Sequence, residues 1–304
     1  MFTAIGQHHL WTSFHTLAAD TPRLATLLTC VSQRGTRAFL SADITDRRHR
    51  LCTADFRAWL QYQLHLPVAA LPHGAPDLHG DAAIAACAHG HRHTLVLTAW
   101  HQAAIDAYGS AVVHREPADY EGISAGYRPD LYIEGAGDDG GDLILDTKVG
   151  TPFAVQLTAG QRERAMHIAF AGTAERFITK VRGRAQVGVP GDGPYDHSDG
   201  SGYLSAKLGD YKHAIERKVD VRPLIHEITG GLHSEAQATL RKLARAYGTR
   251  QDGGDKGPSY SAYLRRHRAR ISRAIALGLA FELRRGARIL ARRARAVPGA
   301  RDAA

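Results

Sequence analysis

The residues from Tyr127 to Val149 constrain this chain more than any others. Two apolar runs, Arg128-Pro129-Asp130-Leu131-Tyr132-Ile133 and Asp142-Leu143-Ile144-Leu145-Asp146-Thr147-Lys148, flank Glu134-Gly135-Ala136-Gly137-Asp138-Asp139-Gly140-Gly141, a turn-rich linker without helical periodicity. That pattern predicts a β-hairpin. Folded about Asp138, it brings Asp130 opposite Asp146, each eight positions from the centre. Alternation along the second strand puts Ile144, Asp146 and Lys148 on one face and Leu143, Leu145 and Val149 on the other. Asp146 and Lys148 therefore point towards Asp130.

Two carboxylates and an ammonium at the end of an apolar hairpin are costly to bury without a use. Their oxygens suit Mg²⁺, which is held by one or two carboxylates with water and substrate phosphate completing its shell. The lysine supplies positive charge beside a phosphate and the water that attacks it. The competing reading is a surface hairpin whose Asp and Lys form an exposed ion pair.

Pro129-Asp130 followed by Asp146-Thr147-Lys148 resembles the PD-(D/E)xK nuclease motif. The order of elements is similar to that superfamily's restriction-endonuclease-like α-β-β-β-α-β core: a helix Thr94–Tyr108, a strand Ala111–Glu116, the hairpin, a helix around Ser205 to Lys218, and a strand Val221–Ile228. More narrowly, Arg92-His93 and Arg128-Pro129-Asp130 resemble the restriction-like endonuclease region downstream of reverse transcriptase in some non-LTR retroelements. The resemblance implies DNA phosphodiester hydrolysis with Mg²⁺ or Mn²⁺ on Asp130, Asp146 and the Thr147 carbonyl. Lys148 would act on the attacking water. Lys207 and Tyr211, four apart, stand where some members have Q-x-x-x-Y and would orient the substrate strand. Many members carry a further acid on the first helix, which here offers only Asp106; Glu116, at the end of the first strand, is the other candidate third acid.

The resembled endonucleases also carry a Cys-Cys-His-Cys cluster upstream. Residues 66–93 keep one cysteine, Cys87, among many histidines. His73, His79, Cys87 and His93 are the candidate Zn²⁺ ligands, set against ordinary solvated histidines in a loop. The three cysteines, Cys30, Cys52 and Cys87, suggest no disulfide framework, which points to a reducing compartment. With no leader-like start and no long apolar run, the expectation is a soluble intracellular protein, nuclear or cytoplasmic, with no membrane partner.

Charge separates the chain into parts. Residues 257–304 hold twelve arginines against Glu282 and Asp302, about +10, so the rest is near −1 of the total +9. Tyr260 to Ala296 reads as one long helix with an apolar stripe through Leu264, Ile271, Ile275, Leu279, Leu283 and Leu290. Its arginines, Arg265, Arg266, Arg284 and Arg285 among them, repel one another at helical spacing, and phosphate is their natural partner. A membrane surface is the competitor.

Upstream, Leu10-to-Leu17 and Pro22-to-Val31 have helical spacing, and Thr53–Leu64 is a firmer helix with Phe56, Trp59, Leu60 and Leu64 as one apolar stripe and its aromatics expected in the core. The expected organisation is a helical lead-in and His/Cys-containing linker over 1–93, a nuclease-like α/β core over 94–250 with a loop insertion at about 151–203, and a basic helical tail over 257–304. Gln161 to Thr179 within the insertion has helix-forming composition. The expected function is a metal-dependent DNA endonuclease, with RNA as a further partner. The alternative is a nucleic-acid-binding protein that keeps the fold without catalysis.

Overall fold

A computed structural model describes residues 38, 51–64, 66–71, 78–87, 90–118, 128–150, 169–184, 207–253 and 257–296. The helices expected between Leu10 and Val31, the segment Val187–Gly202, Tyr127 and His73 lie outside these residues. Among those described, the chain is mixed α/β. The elements are α1 (Thr53–Gln63), α2 (Asp81–Ala86), α3 (Gly90–Tyr108), β1 (Val113–Arg115), β2 (Leu131–Ile133) and β3 (Leu143–Gly150). Then come α4 (Ala169–Arg182), β4 (Gly183–Arg184), β5 (Lys207–Leu208), α5 (Lys212–Glu216), β6 (Asp220–Glu227), α6 (Ser234–Asp252) and α7 (Pro258–Ala296).

Four strands form a mixed sheet in the order β1-β2-β3-β6. The hairpin pairs Leu131 with Leu145 and Ile133 with Leu143, the register obtained by folding about Asp138. β6 runs parallel to β3, with Asp146 opposite Pro223. A proline has no N–H to give the ladder, and β6 is the sheet edge, where that loss is tolerated.

The two sheet faces are apolar for different partners. Leu131, Ile133, Leu143, Leu145 and Leu224 pack under α3, α6 and α7, with Leu97, Trp100, Leu240, Leu243 and Ile275 in the same cluster. Ile144 and Val221 face the other way, onto Val181 of α4, Ala214 of α5 and Tyr211 just ahead of it. A third cluster joins Trp59, Tyr62 and Ile84 of α1 and α2 to Leu279 and Leu283 of α7. The expected core stripe of α1 is met at Trp59 but not at Phe56 or Leu64, which are exposed.

The C-terminal helix thus departs from the expected tail. It is the longest element, and it contacts α1, α2, α3 and α6. Its stripe Ile271, Ile275, Leu279 and Leu283 is buried, because a stripe that long and apolar finds cover in the body rather than in solvent. Where α7 crosses α2 the backbones nearly touch: a Cβ on Gly286 would lie 1.9 Å from the Ala83 carbonyl oxygen. Gly286→Ala should therefore cost about 1–3 kcal/mol, measured by urea denaturation, whereas Arg285→Ala on the exposed side should cost little.

Two further expectations change. Lys207 lies in the two-residue strand β5, paired with Arg184, and Tyr211 is the N-cap of the short α5. They do not share a helix face as a Lys207-to-Tyr211 spacing of four had implied. The break is at Gly209, which sits so close to Gly183 that a Cβ would be 2.3 Å from its nitrogen; Asp210 and Tyr211 then donate to the carbonyls of Lys180 and Val181. The insertion is also not all loop, since α4 occupies Ala169–Arg182 and covers the sheet. At the other boundary α3 starts at Gly90 rather than Thr94, because His91 stacks on Phe281 and Arg92 is tied to α7.

Candidate active site

The hairpin's open end carries the chemistry. Asp130 directly precedes β2 and is buried. Its Oδ2 accepts the Thr147 backbone N–H at 2.6 Å, which fixes the carboxylate where β2 stops and β3 continues. Its Oδ1 lies 3.2 Å from Nε2 of His93, on the first turns of α3. That hydrogen bond raises the pKa of His93, against the opposing effect of burial.

Asp146 projects from the same sheet face, beneath α4 and α5. Burial is the main cause that lifts its pKa to about 7, and the neighbouring Asp130 charge lifts it further. A hydrogen bond from Tyr211 and the charge of Lys180 pull the other way. The two carboxyls also hydrogen-bond to each other, which requires one of them to hold a proton. Tyr211 itself is buried, and its pKa is raised by that burial and then by the Asp146 charge.

Beside the pair, and lined by Asp146 of the two, is a pocket of about 290 Å³. α3 contributes Arg92 and His93, the approach to β2 contributes Arg128, β3 contributes Asp146 to Val149, and α4 contributes Phe177 and Lys180, with Asp210 and Tyr211 closing the side. Lys148 is exposed at this pocket. The pocket is cationic apart from Asp146 and Asp210, and Lys180 lies 3.6 Å from Asp210.

No protein-family model, curated protein or solved structure matches this chain.

The donor set fits a hard divalent cation. Asp142 and Gly150 carbonyls accept from β6 amides, so even-numbered carbonyls of β3 face β6 and odd-numbered ones face β2. The Thr147 carbonyl thus lies on the Asp130 side, as its N–H does. Two carboxylates and this carbonyl are the oxygen ligands that Mg²⁺ and Mn²⁺ favour. Two carboxyls that share a proton at neutral pH are also a pair whose repulsion a cation relieves. Among the described residues, no three His, Cys, Asp or Glu side chains form a ready metal-holding group, so water and substrate oxygens would complete the shell.

The other candidates distribute unevenly. Glu116 bonds through its N–H to the Asp130 carbonyl, but its side chain pairs with Arg115 and Arg128, at the rim rather than in the pocket. Asp106 is at the far end of α3, roughly 20 Å along the helix from His93, and is held by Arg266 and His267. The zinc candidates have separate partners: the Cys87 thiol donates to the Glu282 carbonyl and His93 holds Asp130. Of the arginines expected on DNA, Arg266 pairs with Asp106 and Arg284 with Asp55, while Arg265 and Arg285 are exposed.

Sequence reasoning missed Lys180 and Phe177: Gln161 to Thr179 has helix-forming composition, but its sequence assigns that segment no site role. It also missed the buried support behind β3. Trp100 Nε1–H donates to His226 Nε2 at 2.7 Å, and His226 Nδ1–H donates to the Lys148 carbonyl at 3.2 Å. The bond from Trp100 needs the neutral ring, and complete burial lowers the His226 pKa from 6.5 to about 4, against the hydrogen bond to Lys148. A depressed pKa means stability present above pH 6.5 and lost as pH falls towards 4. Between pH 7 and pH 5 this group should remove about 1–2 kcal/mol, measured as a shift in urea midpoint that His226→Gln flattens.

Proposed function

We propose that this chain is a Mg²⁺- or Mn²⁺-dependent endonuclease that hydrolyses DNA phosphodiester bonds, of the PD-(D/E)xK type and similar to the retroelement restriction-like endonucleases. The observation that carries it is the Asp130–Asp146 pair, one just ahead of β2 and the other on β3, beside a pocket whose other charged lining is mainly positive. The order α3, β1, β2, β3, then α4, β4, β5 and the short α5 ahead of β6, is compatible with an α-β-β-β-α-β core in which α4, rather than the expected helix around Ser205 to Lys218, covers the sheet.

Asp130, Asp146 and the Thr147 carbonyl would hold the ion, which when bound would draw charge from the phosphate and make water more acidic. Thr147 N–H and His93 keep the Asp130 carboxylate aimed, and Tyr211 does so for Asp146. Lys148, exposed at the pocket, would orient the attacking water and offset charge that develops on the phosphate. Arg128 and Lys180 would hold the phosphate anion against the pocket wall. Arg265 and Arg285 are left for the flanking duplex backbone, where they would add salt-sensitive affinity.

Metal loading tests the pair without any substrate. At about 100-fold excess over Kd, Mn²⁺ should stabilise the protein by about 2.7 kcal/mol, more at pH 8 than at pH 6 because the shared proton must leave. Asp146→Asn should abolish the effect. An equal Mn²⁺ response in that variant would place the ion elsewhere.

A further inference from the structure

The pocket holds more than phosphate chemistry requires. Hydrolysis at a duplex backbone needs carboxylates and cations on an open surface. Here α4 covers the sheet face beside Asp146 and closes one wall with the half-buried ring of Phe177. Phe177 and Lys180 are three apart on that helix, so ring and ammonium reach the same pocket. The ring also packs against the cluster of Ile144, Val181 and Tyr211, which holds one side still and leaves the other towards the pocket.

An aromatic face beside a ring of cations is what a nucleotide offers a match to: base on ring, phosphate on ammonium and guanidinium. The volume, about 290 Å³, is at the small end of ligand pockets, enough for one such unit and not for a paired one. A base inside a duplex is stacked on both faces and cannot lie on a side chain unless it is drawn out. Building on the hydrolase proposed above, we infer that the pocket takes one unpaired deoxynucleotide, its base on Phe177 and its phosphate at Arg128, Lys148 and Lys180. The substrate is then a single-stranded or splayed DNA segment, and Phe177 is its specificity-determining residue.

Binding and cleavage separate this inference from the one it rests on. Asp146→Asn protein, used so that strands stay intact, is titrated with a single-stranded oligodeoxynucleotide carrying 2-aminopurine and with the matching blunt duplex. The single strand should bind about tenfold tighter, with quenched fluorescence, and Phe177→Leu added to that protein should lose about tenfold, the size of one base stack. Phe177→Tyr should restore both, which controls for packing of α4. Equal binding of duplex and single strand, or no change on Phe177→Leu, would overturn the inference. If the otherwise wild-type chain cuts duplex as fast as single strands and Phe177→Leu is silent, the hydrolase survives and the unpaired-base pocket does not. If no DNA is cut with either metal but Phe177-dependent single-strand binding holds, the pocket stands and the hydrolase fails.

Discussion

Asp146→Asn should lower Mg²⁺-dependent cleavage by roughly 10³-fold or more and at the same time make the metal-free protein more stable at pH 8. The two effects have one cause. Burial and the Asp130 charge lift the Asp146 pKa to about 7 from an ordinary 3.8. A raised pKa means stability fully present below about pH 4 and lost as pH rises to about 7. Above that, two carboxylates face each other in a site shaped for a cation. An asparagine keeps the shape, accepts from Tyr211 and donates to Asp130 without a charge. The gain should be roughly 2–4 kcal/mol at pH 8 and vanish near pH 4, read from urea midpoints at the two pH values. A variant that loses cleavage and stability together would mean that Asp146 is a structural residue. Gain of stability on loss of function is expected where a site is strained for its ligand.

The second large effect lies behind the site. Arg92, which lines the pocket, is buried and donates from Nη1 to Glu282 Oε2 on α7 at 2.6 Å. The side chains are 5% and 1% exposed, so removing either partner leaves a buried charge. Glu282→Leu should cost about 3–5 kcal/mol, a drop in Tm of roughly 5–8 °C for a chain of this size. The double variant Arg92→Met, Glu282→Leu should recover most of that stability, because an apolar pair of similar volume avoids the charge burial. Because the Arg92 guanidinium is turned to Glu282 rather than to the pocket, stability and cleavage should return together. Recovery of stability without cleavage would mean that Arg92 also acts on the substrate.

What the sequence discloses about this fold follows from which forces are local. The hairpin register is legible because β-alternation and a turn-rich centre at Asp138 fix it without reference to the remainder of the chain. The helix Gly90–Tyr108 is legible for the same reason, apart from its first turn, whose polar residues His91, Arg92 and His93 resemble a loop until α7 supplies Phe281 and Glu282 as partners. The long C-terminal helix is legible as a helix but not as a central strut, since its arginines advertise solvent while Asp55, Asp106 and the apolar stripe hold it to the body.

The candidate site divides along the same line. Asp130, Asp146 and Lys148 sit within one supersecondary unit, and spacing alone brings them together. His93, Tyr211, Lys180 and Phe177 come from elements distant in sequence and reach the pocket only through tertiary packing. Lys207 illustrates the reverse error. Its spacing of four from Tyr211 suggested one helix face, but the close contact of Gly209 with Gly183 turns the chain between them.

The most direct measurement is cleavage of supercoiled plasmid with Mg²⁺ or Mn²⁺ by the wild-type chain, Asp146→Asn and Lys148→Ala. The account predicts nicking by the wild type that a chelator stops and that both substitutions abolish. No cleavage by the wild type in either metal, with equal DNA binding by all three proteins, would contradict it and leave a nucleic-acid-binding protein without hydrolysis.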